Sequence, residues 1–290
     1  MADPRLVATK RALRSLLAER RLANASRGQS FDVGLVPTMG SLHEGHLSLI
    51  RRARVENDLV VMSLFVNPTQ FGEGEDFDRY PRDLDRDLHL AGDVGVDAVF
   101  NPSPREMYGA AHCTWVDVEG IADRLCGAGR PGHFRAVATV VTKLFGLCRP
   151  ERAYFGQKDA QQALVIRRMV VDLDLGVDVV VCPIVREPDG LAMSSRNVYL
   201  TPAERTQAPA LHRALRLAEG GIAAGERDAG VVTATVLGVL AEAPLGRVDY
   251  VEVVAADDLR PVDVIAGDVL VAVAVRFGTT RLIDNVMVKA

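Results

Sequence analysis

The feature that most limits what this chain can fold into is an alternation that runs through its first 187 or so residues. Short apolar runs rich in β-branched residues recur at 33–37 (VGLVP), 58–67 (DLVVMSLFVN), 97–102 (DAVFNP), 152–156 (RAYFG) and 177–187 (VDVVVCPIVRE). Between them lie longer segments of helical period, at 6–22, 46–56, 81–95 and 159–174. The run at 58–67 is apolar almost throughout, as a strand covered on both faces must be. Segment 81–95 starts at Pro81 and ends near Gly95, the asymmetry expected of a helix. Segment 132–150 is rich in β-branched residues, but its length and the spacing of Val137, Val140, Val141 and Leu144 predict a helix. Strands alternating with helices predict an α/β fold: a Rossmann-like parallel sheet, helices on both faces and right-handed crossovers.

The pattern changes near residue 187. Thr201, Pro202 and Glu204 form a capping-box signature at the start of a helix over 201–221. A second helix follows near 228–242, and three strand-like runs close the chain at 248–255, 268–277 and 280–288. Helices followed by strands predict a smaller C-terminal α+β domain. A chain of 290 residues has a prior of about two domains, and the expected boundaries are 1–186 for the larger and 187–290 for the smaller.

Charge and cysteine usage narrow the function. The formal net charge is −4, which argues against a nucleic-acid partner. Cys113, Cys126, Cys148 and Cys182 form no CxxC pair, so reduced thiols are expected rather than a zinc knuckle. The N-terminus is arginine-rich without an apolar signal core, and no apolar run approaches the roughly 20 residues needed to span a bilayer. A soluble, cytoplasmic protein without a membrane partner is expected.

The chemistry concentrates first in LVPTMGSLHEGHLSLIRRA (35–53), where a buried strand hands over to a helix and His43 and His46 sit in the break. Ligands of open α/β sheets bind beyond the carboxyl ends of strands. A helix N-terminus there offers unpaired N–H groups and about half a positive charge to phosphate. Gly40 and Gly45 let an anion approach the backbone, and two imidazoles can donate to phosphate oxygens. Structural histidines are the alternative. A zincin is not indicated, since HEGH has the wrong spacing and an internal glycine, and no GxxxxGK[ST] loop occurs. GAGRPG (127–132) has the letters of a dinucleotide fingerprint but neither a preceding strand nor a donor at Pro131.

These residues carry a resemblance. PTMGSLHEGH is similar to the HxGH signature of the nucleotidyltransferase superfamily. The fuller resemblance is to the pantoate–β-alanine ligase family, through VPTMGSLHEGH (36–46), FVNPTQFG (65–72), RPGHFRAVATVV (130–141), YFGQKDAQQ (154–162), REPDGLAMSSRN (186–197) and RLIDN (281–285). It implies an ATP-dependent, AMP-forming condensation of (R)-pantoate with β-alanine through a pantoyl adenylate, giving pantothenate, AMP and pyrophosphate. It further implies an ATP site made of Met39, Gly40, Ser41, Leu42, His43, Glu44, Gly45 and His46, then Gly156, Gln157, Lys158 and Asp159, then Val185, Met193, Ser194, Ser195 and Arg196. His43, His46, Lys158 and Arg196 take the catalytic roles, with His46 as an acid. Gln70, Gln162 and Arg130 are assigned to pantoate, and Gln70 also to β-alanine. Magnesium is expected with ATP, with Asp87 or other acidic residues of 76–87 as contacts; that run equally reads as a solvated helix face. A homodimer is implied as well.

The residue types fit the implied chemistry. A carboxylate is already an anion, so its attack on phosphorus needs alignment and charge neutralisation rather than a base. Lysine acts as a mobile point charge on phosphate. Hydroxyls and a guanidinium at 194–196 can clamp a departing pyrophosphate, or simply cap the next helix. Neutral glutamines orient a carboxylate without locking it into an ion pair. A transferase that keeps the nucleotide in its product and a non-catalytic nucleotide sensor are the competing classes.

Overall fold

In a computed structural model, the structure describes residues 3–289. Six strands, β1 (Arg5–Val7), β2 (Val33–Thr38), β3 (Leu59–Leu64), β4 (Ala98–Phe100), β5 (Arg152–Gly156) and β6 (Asp178–Cys182), form one sheet in the order β1-β4-β3-β2-β5-β6. Every pairing in it is parallel. The helices are α1 (Lys10–Ala25), α2 (Glu44–Glu56), α3 (Leu84–Asp93), a single turn α4 (Pro104–Met107), α5 (His133–Cys148) and α6 (Ala160–Asp172). Then come α7 (Pro202–Gln207), α8 (Ala210–Ala223) and α9 (Ala229–Leu240), and an antiparallel sheet in the order β7 (Gly246–Ala255), β8 (Val269–Phe277), β9 (Thr280–Val288). The expected parallel α/β sheet and smaller α+β part are both present.

The chain divides into two compact units. The first holds residues up to Ala122, Arg130–Gly156 and Val165–Cys182; the second holds Asp123–Gly129, Gln157–Leu164 and the chain from Pro183 onward. In the first unit Val36, Val60, Met62 and Val99 of the parallel strands are fully buried with Leu42, Ile50 and Ala53. In the second, Val271, Val273 and Val275 of the central strand β8 pack with Ala214, Leu215, Ala218 and Ile222 of α8. Among the described residues no helix is long and apolar enough to cross a membrane.

Element ends differ from the sequence pattern where local chemistry intervenes. The first helix starts at Lys10 rather than residue 6, because Arg5–Val7 pair with β4 and Thr9 Oγ1 caps the helix by accepting from Ala12 N at 3.1 Å. The third helix begins at Leu84, not Pro81: Asp83 is the cap, accepting from Arg86 N at 3.1 Å. Strand β6 stops at Cys182, since Pro183 has no N–H for a ladder. The helix expected over 201–221 is two, separated at Ala208–Pro209, while the predicted capping box of Thr201 and Glu204 is formed. The helix over 133–148 and the three closing strands follow the reading of the sequence.

Candidate functional site

In the first unit the site residues follow the carboxyl end of β2. Thr38 ends the strand and ties it to β3, its Oγ1 donating to Ser63 O at 2.7 Å. The chain then turns through two successive left-handed residues, Gly40 (φ +85) and Ser41 (φ +54). A serine there is strained, so something must hold the turn. That is Asp87 of α3, only 1% exposed, whose two carboxylate oxygens accept from Ser41 N at 2.7 Å and Leu42 N at 2.8 Å. A Cβ at residue 40 would lie 2.9 Å from Asp87 Oδ2 and 3.2 Å from Leu64, so glycine is needed for space as well as for φ. Burial pushes the Asp87 carboxyl above its ordinary value, and the Leu42 and Ser41 N–H groups partly oppose that shift. Asp87 is thus a brace for the loop, both its oxygens occupied by backbone.

His43 and His46 cap the helix reciprocally. His43 Nδ1 accepts from Gly45 N at 3.1 Å, and His46 Nδ1 accepts from His43 N at 3.4 Å. An Nδ1 that accepts is unprotonated, so each neutral ring carries its proton on Nε2 as a donor. The ring centroids lie 4.1 Å apart. Glu44 pairs along the exposed helix surface with Arg51. Leu42 sinks its side chain into the core.

Gln70 ends a 3-10 turn after β3. Its amide is fixed: Oε1 accepts from Asn67 Nδ2 at 3.2 Å and Nε2 faces Met39 Sδ at 3.0 Å. Asn67, 1% exposed, accepts in turn from Tyr108 Oη at 3.0 Å and Thr69 Oγ1 at 2.9 Å. The backbone oxygen of Gln70 meets His133 Nδ1 at 2.8 Å and accepts from Arg130 Nη2 at 3.2 Å. Arg130 itself forms a two-pronged pair with Glu75, at 2.6 and 2.5 Å, and the partner guanidinium holds Glu75 below its usual carboxylate value against the opposing effect of burial. Met39, Gln70 and Arg130 are therefore brought together. Sequence reasoning gave no role to Asn67, Tyr108, His133 or Glu75; Asn67 lies inside the FVNPTQFG motif, a polar residue at the very end of the apolar run 58–67, which was the available signal.

In the second unit a 3-10 turn, Gln157–Asp159, opens α6. Lys158 Nζ lies 3.6 Å from Asp159 Oδ1. Gln162 is half-buried, whereas its neighbour Gln161 is buried and holds Cys126 N and Arg124 O at 3.0 and 2.6 Å. The run 127–132 follows a 3-10 turn rather than a strand, so it lacks the setting of a dinucleotide fingerprint. Val185 to Met193 is a hairpin-like loop: Met193 N donates to Val185 O at 3.0 Å and Arg186 bridges Ala192. Ser194 caps the 3-10 turn Ser195–Tyr199 by accepting from Arg196 N at 3.2 Å. Among the described residues no group of three His, Cys, Asp or Glu side chains is arranged to hold a metal ion.

Comparisons with known proteins agree on one family. The family model described as pantoate-beta-alanine ligase matches residues 5–287. A pantothenate synthetase of Moorella thermoacetica is 57% identical over 277 residues, 96% of this chain and 98% of that protein. The crystal structure of pantothenate synthetase from Thermus thermophilus superposes with a TM-score of 0.91 at 48% identity, covering 97% of this chain and 98% of that one. A pantoate-beta-alanine ligase from Francisella tularensis, complexed with beta-gamma ATP and beta-alanine, has a TM-score of 0.78 at 31% identity, covering 98% and 97%.

Proposed function

The chain belongs to the pantoate-beta-alanine ligase family, and from that premise we propose how its residues carry out the ligation. The pantoate carboxylate attacks the α-phosphorus of ATP; the bond to the β,γ-unit breaks and pyrophosphate leaves. The neutral amine of β-alanine then attacks the acyl carbon of pantoyl adenylate, forming the amide of pantothenate and releasing AMP. The observation that carries this reading is the family match from residue 5 to residue 287. The relative bearing beta-gamma ATP and beta-alanine supports the same substrates here.

The mechanism follows from charge. Nothing in step one needs a base; it needs donors already aimed at the phosphates. On this reading Nε2–H of His43 and His46 donates to the triphosphate from the start of α2. Met39, Gly40, Ser41, Leu42, Glu44 and Gly45 shape the backbone beside it. Lys158 supplies a mobile cation, with Gly156, Gln157 and Asp159 around the nucleotide, and Ser194, Ser195 and Arg196 neutralise the leaving pyrophosphate, with Val185 and Met193 beside them. Gln70, oriented by Asn67, and Gln162 hold pantoate; Gln70 also meets β-alanine. Arg130 reaches a substrate carboxylate by exchange with Glu75, its partner here. With Asp87 committed to backbone amides, magnesium enters as part of the substrate, MgATP. We place the enzyme in the cytoplasm, with its cysteines free, as a homodimer.

The test is incubation with MgATP, (R)-pantoate and β-alanine. The expected products are pantothenate, AMP and pyrophosphate in equal amounts. A nucleotide conjugate of the acid with no amide would mean a nucleotidyltransferase instead.

A further inference from the structure

The RLIDN motif near the end of the chain has no role in the reaction as described, yet it places two buried polar residues side by side in strand β9, between Leu282–Ile283 and Val286. Asp284 is 2% exposed and Asn285 is 5% exposed. Burying such groups is costly unless they are fully paired. Both are paired, and to different loops of the second unit, because successive residues of a strand face opposite sides.

Asn285 holds the turn that carries Lys158. Its Nδ2 donates to the carbonyls of Gln157 and Lys158, both at 3.0 Å, and its Oδ1 accepts from Gln157 Nε2 at 2.9 Å. One amide therefore fixes the peptide carbonyls on both sides of the Lys158 α-carbon. Asp284 holds the hairpin that leads into Ser194–Arg196. Its carboxylate takes Arg186 in a two-pronged pair, Nη1 at 2.6 Å and Nη2 at 3.0 Å, while Oδ1 also accepts from Asn285 N at 2.8 Å. Arg186 donates onward to Gly190 O at 3.0 Å and bridges Ala192, just before Met193.

We infer that Asp284 and Asn285 are positioning residues, a two-sided clamp that sets Lys158 and the Ser194–Arg196 turn in register for the same triphosphate. A strand is a rigid mount, and adjacent residues on it cannot move independently. Coupling both phosphate-directed loops to one dipeptide keeps their spacing fixed while pyrophosphate departs. Neither residue touches substrate; each acts through backbone it holds. The inference rests on the proposed ligase reading for the roles of Lys158 and Arg196.

The test is Asn285→Asp, near-isosteric but without the Nδ2 donors, alongside Asn285→Ala and Asp284→Asn. Pyrophosphate exchange with MgATP and pantoate, and the steady-state rate of the full reaction at varied β-alanine, are measured for each, with thermal unfolding and amide hydrogen exchange on the full chain. The clamp predicts a fall of at least about 10-fold in kcat/KM for ATP, within the roughly 10²-fold cost of ångström-scale misplacement, with KM for β-alanine within about 2-fold of wild type. It also predicts faster exchange at 157–162 in Asn285→Asp and at 186–199 in Asp284→Asn, with 39–46 unchanged. Wild-type kinetics per folded molecule, or exchange that rises evenly over the whole unit, would overturn it and leave a structural role only. Should wild type itself make no pantothenate, the ligase reading fails, and the exchange pattern still decides whether the clamp exists.

Discussion

The loop after β2 and the hairpin ending at Ser194–Arg196 are assigned the same electrostatic task, yet they are held in opposite ways. The first is held from close by. Two histidines cap one helix across three residues, and one buried carboxylate, 46 residues from Ser41, pins the left-handed Gly40–Ser41 pair, strained at the serine. The second is held from afar: Asp284 of the last strand grips Arg186 from 98 residues away, and its neighbour Asn285 likewise holds the Lys158 turn from 127 or 128 residues away. A loop at the end of a buried parallel strand inherits rigidity from the sheet and needs only its turn fixed. A hairpin outside any sheet has no such support, so the fold supplies it through long-range side-chain contacts. Such contacts are absent until the second unit has formed, whereas the first loop's caps come with its own helix.

The largest expected effects come from the donors themselves, one in each loop system. His46→Ala should lower pantoate-dependent pyrophosphate exchange by about 10²-fold or more, the scale of losing one aligned donor. It also removes the acceptor for His43 N, so some loss should appear as a weaker helix start. Lys158→Ala should lower the same exchange comparably without touching a cap. If His46→Ala exchanges pyrophosphate at the wild-type rate, the histidine has no part in activation. If Lys158→Ala raises only KM for β-alanine, the lysine serves the second half-reaction.

Asp87→Ala tests how far local bracing matters. It removes the carboxylate that accepts from the Ser41 and Leu42 N–H groups, and the loss at the buried Leu42 N–H alone costs about 1–3 kcal/mol. In a protein of this size each kcal/mol lowers Tm by about 2–4 °C. The midpoint should therefore fall by several degrees, with a rate loss larger than the unfolded fraction explains, because Gly40–Ser41 is released. Asp87→Asn keeps one acceptor and should lie between. An Asp87→Ala enzyme with an unchanged midpoint would mean that the turn holds itself.

Much of this contrast was legible in the residues, and the rest was not for a physical reason. The parallel sheet could be read because buried strands are locally apolar: the β3 run needs no partner to be recognised. The capping box at Thr201 could be read because it spans four residues. The three-residue β1 was invisible, since no period fits so short a run and its pairing with β4 is non-local. In the sequence Asp87 reads, with its acidic neighbours, either as a contact for magnesium or as part of a solvated helix face; nothing in DLDRD distinguishes the carboxylate that turns inward from those that stay in water. The resemblance brought Gln70 to the site without its supports, because Asn67 and Tyr108 reach it from 3 and 38 residues away through burial that the chain alone does not display. Asp284 and Asn285 stood in a quoted motif with no chemistry attached, for the same reason.

A subtler probe of the remote mounting is Gly190→Ala. Gly190 sits at φ +94, and a Cβ there would clash with His212 Nδ1. The hairpin would have to shift against α8 within the second unit. A cost of about 1–3 kcal/mol is expected from the forbidden backbone region together with the clash, read as a lower midpoint and a raised KM for ATP. A neutral outcome would show that the hairpin is looser than its contacts imply.

The smallest effect is a pH dependence confined to the second unit. Burial lowers the His212 pKa from its ordinary value, and the nearby Arg186 charge lowers it further, with Asp284 opposing. Arg216 also disfavours the imidazolium, and Glu219 favours it. Since the folded pKa lies below the unfolded one, the unfolded chain binds more protons between the two values. The stabilisation is thus complete above the unfolded pKa, about 6.5, and is lost as pH falls through the lower folded value. Protonated His212 beside Arg186 should strain the hairpin that Asp284 holds, while the loop after β2 has no such neighbour among the groups that shift His212. Wild type should therefore lose stability faster than His212→Gln as pH drops below about 6.5, with hydrogen exchange rising first at 186–199. Parallel stability curves for the two proteins across that range would remove His212 from the account and leave the hairpin's mounting insensitive to pH.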